Sequence, residues 1–150
     1  MALDLPPPRN ILVHGHWTIN REKMSKSTGN VVNPFFAIDR FGIDTMRFFL
    51  ISQGPRADDS DYDNDFIVRD YKKWLQHGLG NLLNRFLGVI KWNMSPILKA
   101  AQSGGLPESS AADKAHQETL QRLSQKVSEH MDRLDTKAAL REIMKAIEKV

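Results

Sequence analysis

One apolar stripe runs without a break through residues 66–94. Ile67, Tyr71, Trp74, Leu75, Leu79, Leu82, Phe86 and Val89 recur at steps of three and four, the period of a helix with one buried face. A chain of 150 residues with such a run must take most of its core from helices. Gly78, Gly80 and Gly88 sit inside the run. Each costs up to about 1 kcal/mol of helix preference, so they point to close packing or a bend. Residues 111–134 repeat the pattern with Leu120, Leu123, Val127, Met131 and Leu134 on one face. Asp135-Thr136 breaks it and can cap a last helix that turns Ala139, Leu140, Ile143, Met144 and Ile147 inward. Between the long helices, Ser95-Pro96 and the stretch 103–107 mark a connection, with a short helical piece at 97–102. Ahead of them, Asn33 as N-cap and Pro34 at the first helical position open a short helix through Phe41, closed by Gly42. Asp44 can cap a second short helix through Ile51, and Gly54-Pro55 ends it. No internal repeat is found.

The start of the chain is different. Pro6-Pro7-Pro8 is a stiff, extended lead-in. Asn10 to Trp17 reads as a short strand around Ile11-Leu12-Val13. Residues 18–30 show neither period and read as a loop. A lone strand is not stable, so this one is expected to need a sheet that the chain does not supply.

Composition narrows the possible chemistry. There is no cysteine, so no disulfide, thiol nucleophile or Cys-ligated zinc can arise within the chain. No apolar run is long enough to span a bilayer, and the first residues lack the pattern of a signal or transit peptide. The net charge is only +3. Its distribution is uneven: residues 71–105 hold five basic and no acidic residues, interleaved with Tyr71, Trp74, Phe86 and Trp92. Cations beside aromatic faces suit RNA; from composition alone, a helix with aromatics inward and lysines in water is the favoured reading. Asp58, Asp59, Asp61, Asp63 and Asp65 alternate along an acidic loop. The Gly and Glu of a calcium-binding loop fall at the wrong offsets, so no metal is assigned, and helix capping by Asp63 or Asn64 is expected instead.

The loop after the strand carries Lys23-Met24-Ser25-Lys26-Ser27, then Thr28-Gly29-Asn30-Val31-Val32. Two lysines three apart in a hydroxyl-rich loop can fold over a polyphosphate and neutralise its oxygens. Phosphoryl and nucleotidyl transfer need that more than covalent help.

Lys23 to Ser27 is the complete KMSKS signature, and it resembles that of class I aminoacyl-tRNA synthetases. The flanks extend the likeness: His14-Gly15-His16-Trp17 before it, Gly29-Asn30-Val31-Val32-Asn33-Pro34 after it, then Phe41-Gly42-Ile43-Asp44-Thr45-Met46-Arg47-Phe48-Phe49-Leu50. Within the class, the chain most resembles the methionyl family of bacterial and mitochondrial type. The short interval to the helical part and Gly80-Asn81-Leu82-Leu83-Asn84-Arg85 carry that resemblance. Leucine or valine members, or a non-catalytic tRNA-binding module, are the alternatives.

The resemblance implies a mainly α fold. Residues 1–31 would be the end of a Rossmann-like nucleotide-binding catalytic domain, namely a strand plus the KMSKS loop. Residues 32–64 would be a stem-contact region, and 65–150 an antiparallel helical anticodon-binding bundle, incomplete at its C-terminus. It implies activation of methionine with ATP and Mg2+ and charging of tRNA(Met). Lys26, assisted by Lys23, would stabilise the pyrophosphate. Met24, Ser25 and Ser27 would complete the ATP-binding loop, with Ser25 and Ser27 shaping it and touching phosphate. Asn81 and Arg85 would contact the anticodon. The family's His-Ile-Gly-His motif, methionine pocket, zinc knuckle and anticodon-stacking Trp are not found here, and Tyr71-Lys72-Lys73-Trp74 departs from the family's Asn-x-Asp. The chain is therefore expected to be inactive without an N-terminal catalytic half. By resemblance it belongs in the mitochondrial matrix, otherwise in the cytoplasm, and not in a membrane. His14, His16 and Trp17 receive no role beyond a packed strand end.

Overall fold

The computed structural model describes residues 6–55, 57–88, 94–105 and 108–149. Strand β1 (Trp17–Ile19) turns back at once into β2 (Glu22–Lys23), and β3 (Ser60–Asp61) lies parallel to β1 on its other side, in the order β2-β1-β3. The turn between β1 and β2 is Asn20-Arg21, with φ of 53° and 64°. Two successive left-handed residues make the tight primed turn that matches strand twist. Asn tolerates that conformation; Arg adopts it at a cost.

Two expectations are corrected here. The strand is not 10–17 but starts at Trp17, and Ile11, Leu12 and Val13 stay exposed. Nor is it without partners. The acidic segment supplies β3, with Ser60 N–H donating to the His16 carbonyl (3.0 Å) and Tyr62 N–H to that of Thr18 (2.8 Å). The ladder starts where β3 can reach, which leaves residues 10–16 without a strand beside them among the described residues. The aspartates tie this junction. Asp59 accepts from His16 N–H (2.7 Å), and Asp61 accepts from the Thr18 hydroxyl (2.7 Å) and Arg21 N–H (3.1 Å).

Gly15 crosses so close to Asp58 that a Cβ there would strike the Asp58 carbonyl and the Asp59 nitrogen. Backbone cannot swing aside as a side-chain tip can. Gly15→Ala is expected to destabilise the chain by about 2 kcal/mol, read as a lower Tm; an unchanged Tm would show that this crossing is loose.

Helix α1 (Pro34–Phe41) has the expected start: Asn33 accepts from Phe35 N–H at 2.9 Å, and Pro34 follows. Gly42, at φ 82°, ends it and donates to the Ile38 carbonyl at 2.8 Å. The same glycine flanks the start of α2 (Ile43–Gln53), so Asp44 lies inside the first turn rather than capping it. There its charge favours the helix dipole. Phe49, Met46, Ala37 and Ile67 form the core, with Trp17, Val32, Phe41 and Tyr62 packed around them. Phe49 and Ile67 are fully buried. The small sheet is thereby bolted to the helices, since Trp17 in β1 and Tyr62 just after β3 both stack on Phe49.

Asp63 caps α3 (Asn64–Asp70) through Asp65 N–H at 2.8 Å. The helix then runs on without a break through a π-helical segment (Tyr71–Gly80) into α4 (Asn81–Leu87). A plain α-helix was expected. Gly78 and Gly80 weaken the α preference of this stretch, and the wider i→i+5 bonding carries the chain through it. The expected end at 94 is also corrected. Gly88 leaves the helical region at ψ 101°, Val89 and Trp92 lie outside the described residues, and Met94 opens a new helix, α5 (Met94–Gln102). Ser95-Pro96 belongs to its first turn, where proline's missing N–H has no partner to lose.

Ser110 and Asp113 form a capping box that opens α6 (Ala111–Asp132), and Asp135 caps α7 (Thr136–Glu148). The pair folds back on itself through Arg133-Leu134-Asp135, with Leu134 at φ 57°. α7 packs against α6 on one side and against α2 and the π-helical segment on the other. That two-sided burial takes in Ala139, Met144 and Ala146 but leaves Ile143 partly outside. The α6 stripe is only half covered. Leu123 and Val127 are half-buried, whereas Leu120, Met131 and Leu134 are 47%, 48% and 51% exposed.

Three carboxyl groups are held below their usual range. For Asp61 the main cause is the Arg21 N–H and then the Thr18 hydroxyl; for Asp113 it is the Ser110 hydroxyl; for Glu142 it is the Lys145 ammonium. Each binds its proton less tightly folded than unfolded. Their contribution is therefore complete above the unfolded value of about 4 and is lost as pH falls through the folded values. Thermal stability is expected to be flat from about pH 7 to about pH 5 and to drop below about pH 4, with Asp61→Asn flattening part of that drop. A Tm that rises on acidification would contradict the assignment.

Candidate functional site

Lys23 ends β2, so the hairpin fixes where the lysine loop leaves the sheet. The loop is locked from within by neutral groups. Asn30 Oδ1 accepts from Ser25 N–H (2.8 Å) and the Thr28 hydroxyl (2.9 Å), and Asn30 Nδ2 donates to the Lys23 carbonyl (3.3 Å). The Ser25 hydroxyl bonds those of Ser27 (2.8 Å) and Thr28 (2.9 Å) and accepts from Thr28 N–H (3.2 Å). Gly29, at φ 71°, makes the return bend. Ser25 and Ser27 bond within the loop, and so do Thr28 and Asn30, which were not singled out. Their signal was present in the run of hydroxyl and amide side chains around Gly29. Lys23 and Lys26 are exposed, and neither ammonium has a hydrogen-bond or ion-pair partner among the described residues. Half-buried Met24 carries no polar group. The product is two uncompensated cations on a preorganised loop, an arrangement fit for a polyanion.

Among the described residues, exposed His14 bonds only the carbonyl of its neighbour Gly15, at 2.7 Å. His16 sits beside Asp59, with its ring Nδ1 at 3.6 Å, and Trp17 packs on Phe49 at 5.6 Å. The aspartates around them serve the sheet junction and a helix cap. Among the described residues no group of three or more histidines and carboxylates could hold a metal ion, and no helix is long and apolar enough to cross a membrane.

Asn81 and Arg85 come together on another part of the molecule. They line one cavity of about 260 Å³ with Lys73, His77, Gly78 and Leu82 of the same helix and Ile147 and Glu148 of α7. Both are exposed. Lys73, His77, Asn81 and Arg85 follow each other at steps of four. A larger cavity, of about 310 Å³, lies between α2, the π-helical segment and α7. Buried Asp70 sits at its wall and accepts from Gln53 Nε2 (2.7 Å), with Arg69 at 3.1 Å.

The hairpin delivers the lysine loop, with helices stacked behind it and a helical array beyond. The model of class I tRNA synthetases (M) matches residues 1–87, and the chain belongs to that family. A probable mitochondrial methionine–tRNA ligase from Neurospora crassa is 43% identical over 96% of this chain and 24% of its own length. The methionine–tRNA ligase of Caldanaerobacter subterraneus is 36% identical over 98% of this chain and 22% of its own. Mycobacterium tuberculosis methionyl-tRNA synthetase, solved with methionyl-adenylate, superposes with a TM-score of 0.82 at 31% identity, over 97% of this chain and 28% of that one. The chain thus spans about a quarter of the length of these relatives.

Proposed function

We propose that this chain is the lysine-loop and helical portion of a methionine–tRNA ligase, which activates methionine with ATP and charges tRNA(Met). The observation that carries this is the pair of unpartnered ammonium groups, Lys23 and Lys26, on a loop fixed by Ser25, Ser27, Thr28 and Asn30. Lys26, with Lys23, takes the charge that develops on the pyrophosphate leaving group. The Ser25 and Ser27 hydroxyls stand beside them for phosphate oxygens. Mg2+ comes with ATP as part of the substrate. Residues 1–31 form the catalytic edge, 32–64 the stem-contact region, and 65–150 the anticodon-binding part. There Asn81 and Arg85 face unstacked bases with an amide and a planar guanidinium fork. The Neurospora relative's name favours a mitochondrial site of action over a cytoplasmic one.

The test is amino-acid-dependent pyrophosphate exchange, with this chain part of an enzyme of its relatives' length. Methionine should support exchange and charging of a CAU-anticodon tRNA. Leucine or valine in its place would overturn the substrate assignment, and anticodon-dependent tRNA binding with no ATP chemistry would favour a binding module.

A further inference from the structure

We infer that the groove between the π-helical segment and α7 binds the sugar–phosphate backbone of the RNA, with Lys73, Lys137 and Arg141 each taking a phosphate. This rests on the proposal that Asn81 and Arg85 face RNA bases. In an α-helix, residues four apart advance about 40° around the axis at each step. Three such steps would swing Lys73 well away from Arg85. Within the π-helical segment each turn is wider, so a step of four falls short of a full turn instead of overshooting it. The two deviations oppose each other, and Lys73 ends up on the same cavity as Asn81 and Arg85.

Lys73 also borders the larger cavity, whose α7 wall presents Lys137 and Arg141. Lys73 thus stands between the two cavities and lines both. Lys137 and Arg141 are one turn apart, about 6 Å along the axis, a separation that suits consecutive phosphates of a single strand. Their charges are uncompensated. Neither has a hydrogen-bond or ion-pair partner among the described residues, and Lys73 only rests over the Trp74 ring at 4.1 Å. By contrast, Lys145 and Lys126, elsewhere on this helix pair, both reach Glu142, at 2.7 Å and 3.7 Å. The groove's own carboxylates do not neutralise the three cations. Asp70 is held by Gln53 and Arg69, and Glu148 stands at the far end. Like charges facing each other across a helix junction cost the fold stability, and an RNA backbone reverses that cost.

The experiment measures binding of the chain to two RNA hairpins, one with a CAU loop and one with an altered loop, over a salt series. The wild type is compared with Lys137→Met/Arg141→Gln and with Asn81→Ala/Arg85→Ala. These replacements keep the side-chain stems on α7, and thermal melts confirm that each variant folds. Removing two phosphate contacts should lower the slope of log K against log salt by about 1.4 and weaken both hairpins by the same factor, about tenfold or more at low salt. The Asn81/Arg85 variant should instead erase the preference for CAU. If the α7 variant leaves affinity and slope unchanged, the groove assignment is overturned. If inorganic phosphate binds the wild type and not the α7 variant while both bind RNA equally well, the groove holds a free anion, and the assignment also fails. If neither protein prefers CAU but the α7 variant still loses slope, the groove stands and the anticodon reading falls.

Discussion

Lys26→Ala, in the complete enzyme, is expected to lower the kcat of methionine-dependent pyrophosphate exchange by about 10²- to 10³-fold, or about 2.7–4 kcal/mol of transition-state stabilisation. The size follows from what the side chain does and does not touch. Its ammonium has no partner among the described residues, so its removal leaves the hydroxyl and amide lock around Ser25 and Asn30 intact. The loss then appears where negative charge grows, on the leaving pyrophosphate, and falls on kcat more than on the KM for ATP. Ser25→Ala should behave differently. It removes the hydroxyl that bonds both Ser27 and Thr28, loosens the loop itself and raises KM as well. An exchange rate for Lys26→Ala within a factor of two or three of wild type would remove the lysine loop from the chemistry.

The sequence disclosed the parts of this site more readily than their setting. Asn33-Pro34, Asp63 and Asp135 mark helix starts because a cap is a local bond between neighbours, and such bonds are written within a few residues. The lysine pair was legible for the same reason. The hairpin was not. Its turn uses Arg21 in a left-handed conformation, which no propensity favours, and it forms because β3 holds β1 from the far side and Asp61 accepts the Arg21 N–H. That interaction joins residues 40 positions apart. The π-helical segment was hidden in another way. An apolar stripe at steps of three and four is satisfied by either helix type when one side packs against α7, and only the placement of Lys73 beside Arg85 separates them. The half-covered stripe of α6 shows the limit of periodicity as evidence: it tells which face can be buried, not how much of it is.

Phe49→Ala is expected to destabilise the chain by about 3–5 kcal/mol. Phe49 has no exposed surface. Its ring lies 5.6 Å from that of Trp17 at a 35° tilt and 5.8 Å from that of Tyr62, edge-on at 90°. Truncation leaves a cavity that these neighbours cannot fill without leaving the sheet. Natural domains hold only about 5–15 kcal/mol in total, so the loss is a large share, and a Tm lower by roughly 10 °C or more follows for a chain of this size. Leu120→Ala is the matched control. Its side chain is about half exposed on α6, and the change should cost about 0.5 kcal/mol or less. Equal melting shifts for the two would mean that the core does not lie at Phe49. A second consequence ties stability to chemistry. Trp17 belongs to the strand that turns through Asn20-Arg21 into Lys23, so the ring that Phe49 supports is also the anchor of the lysine loop. Phe49→Leu, which keeps the site apolar and most of its volume, should recover most of the Tm. In the complete enzyme it should then recover exchange activity in parallel. Recovery of stability without activity would show that the loop depends on the aromatic stack itself and not only on a filled core.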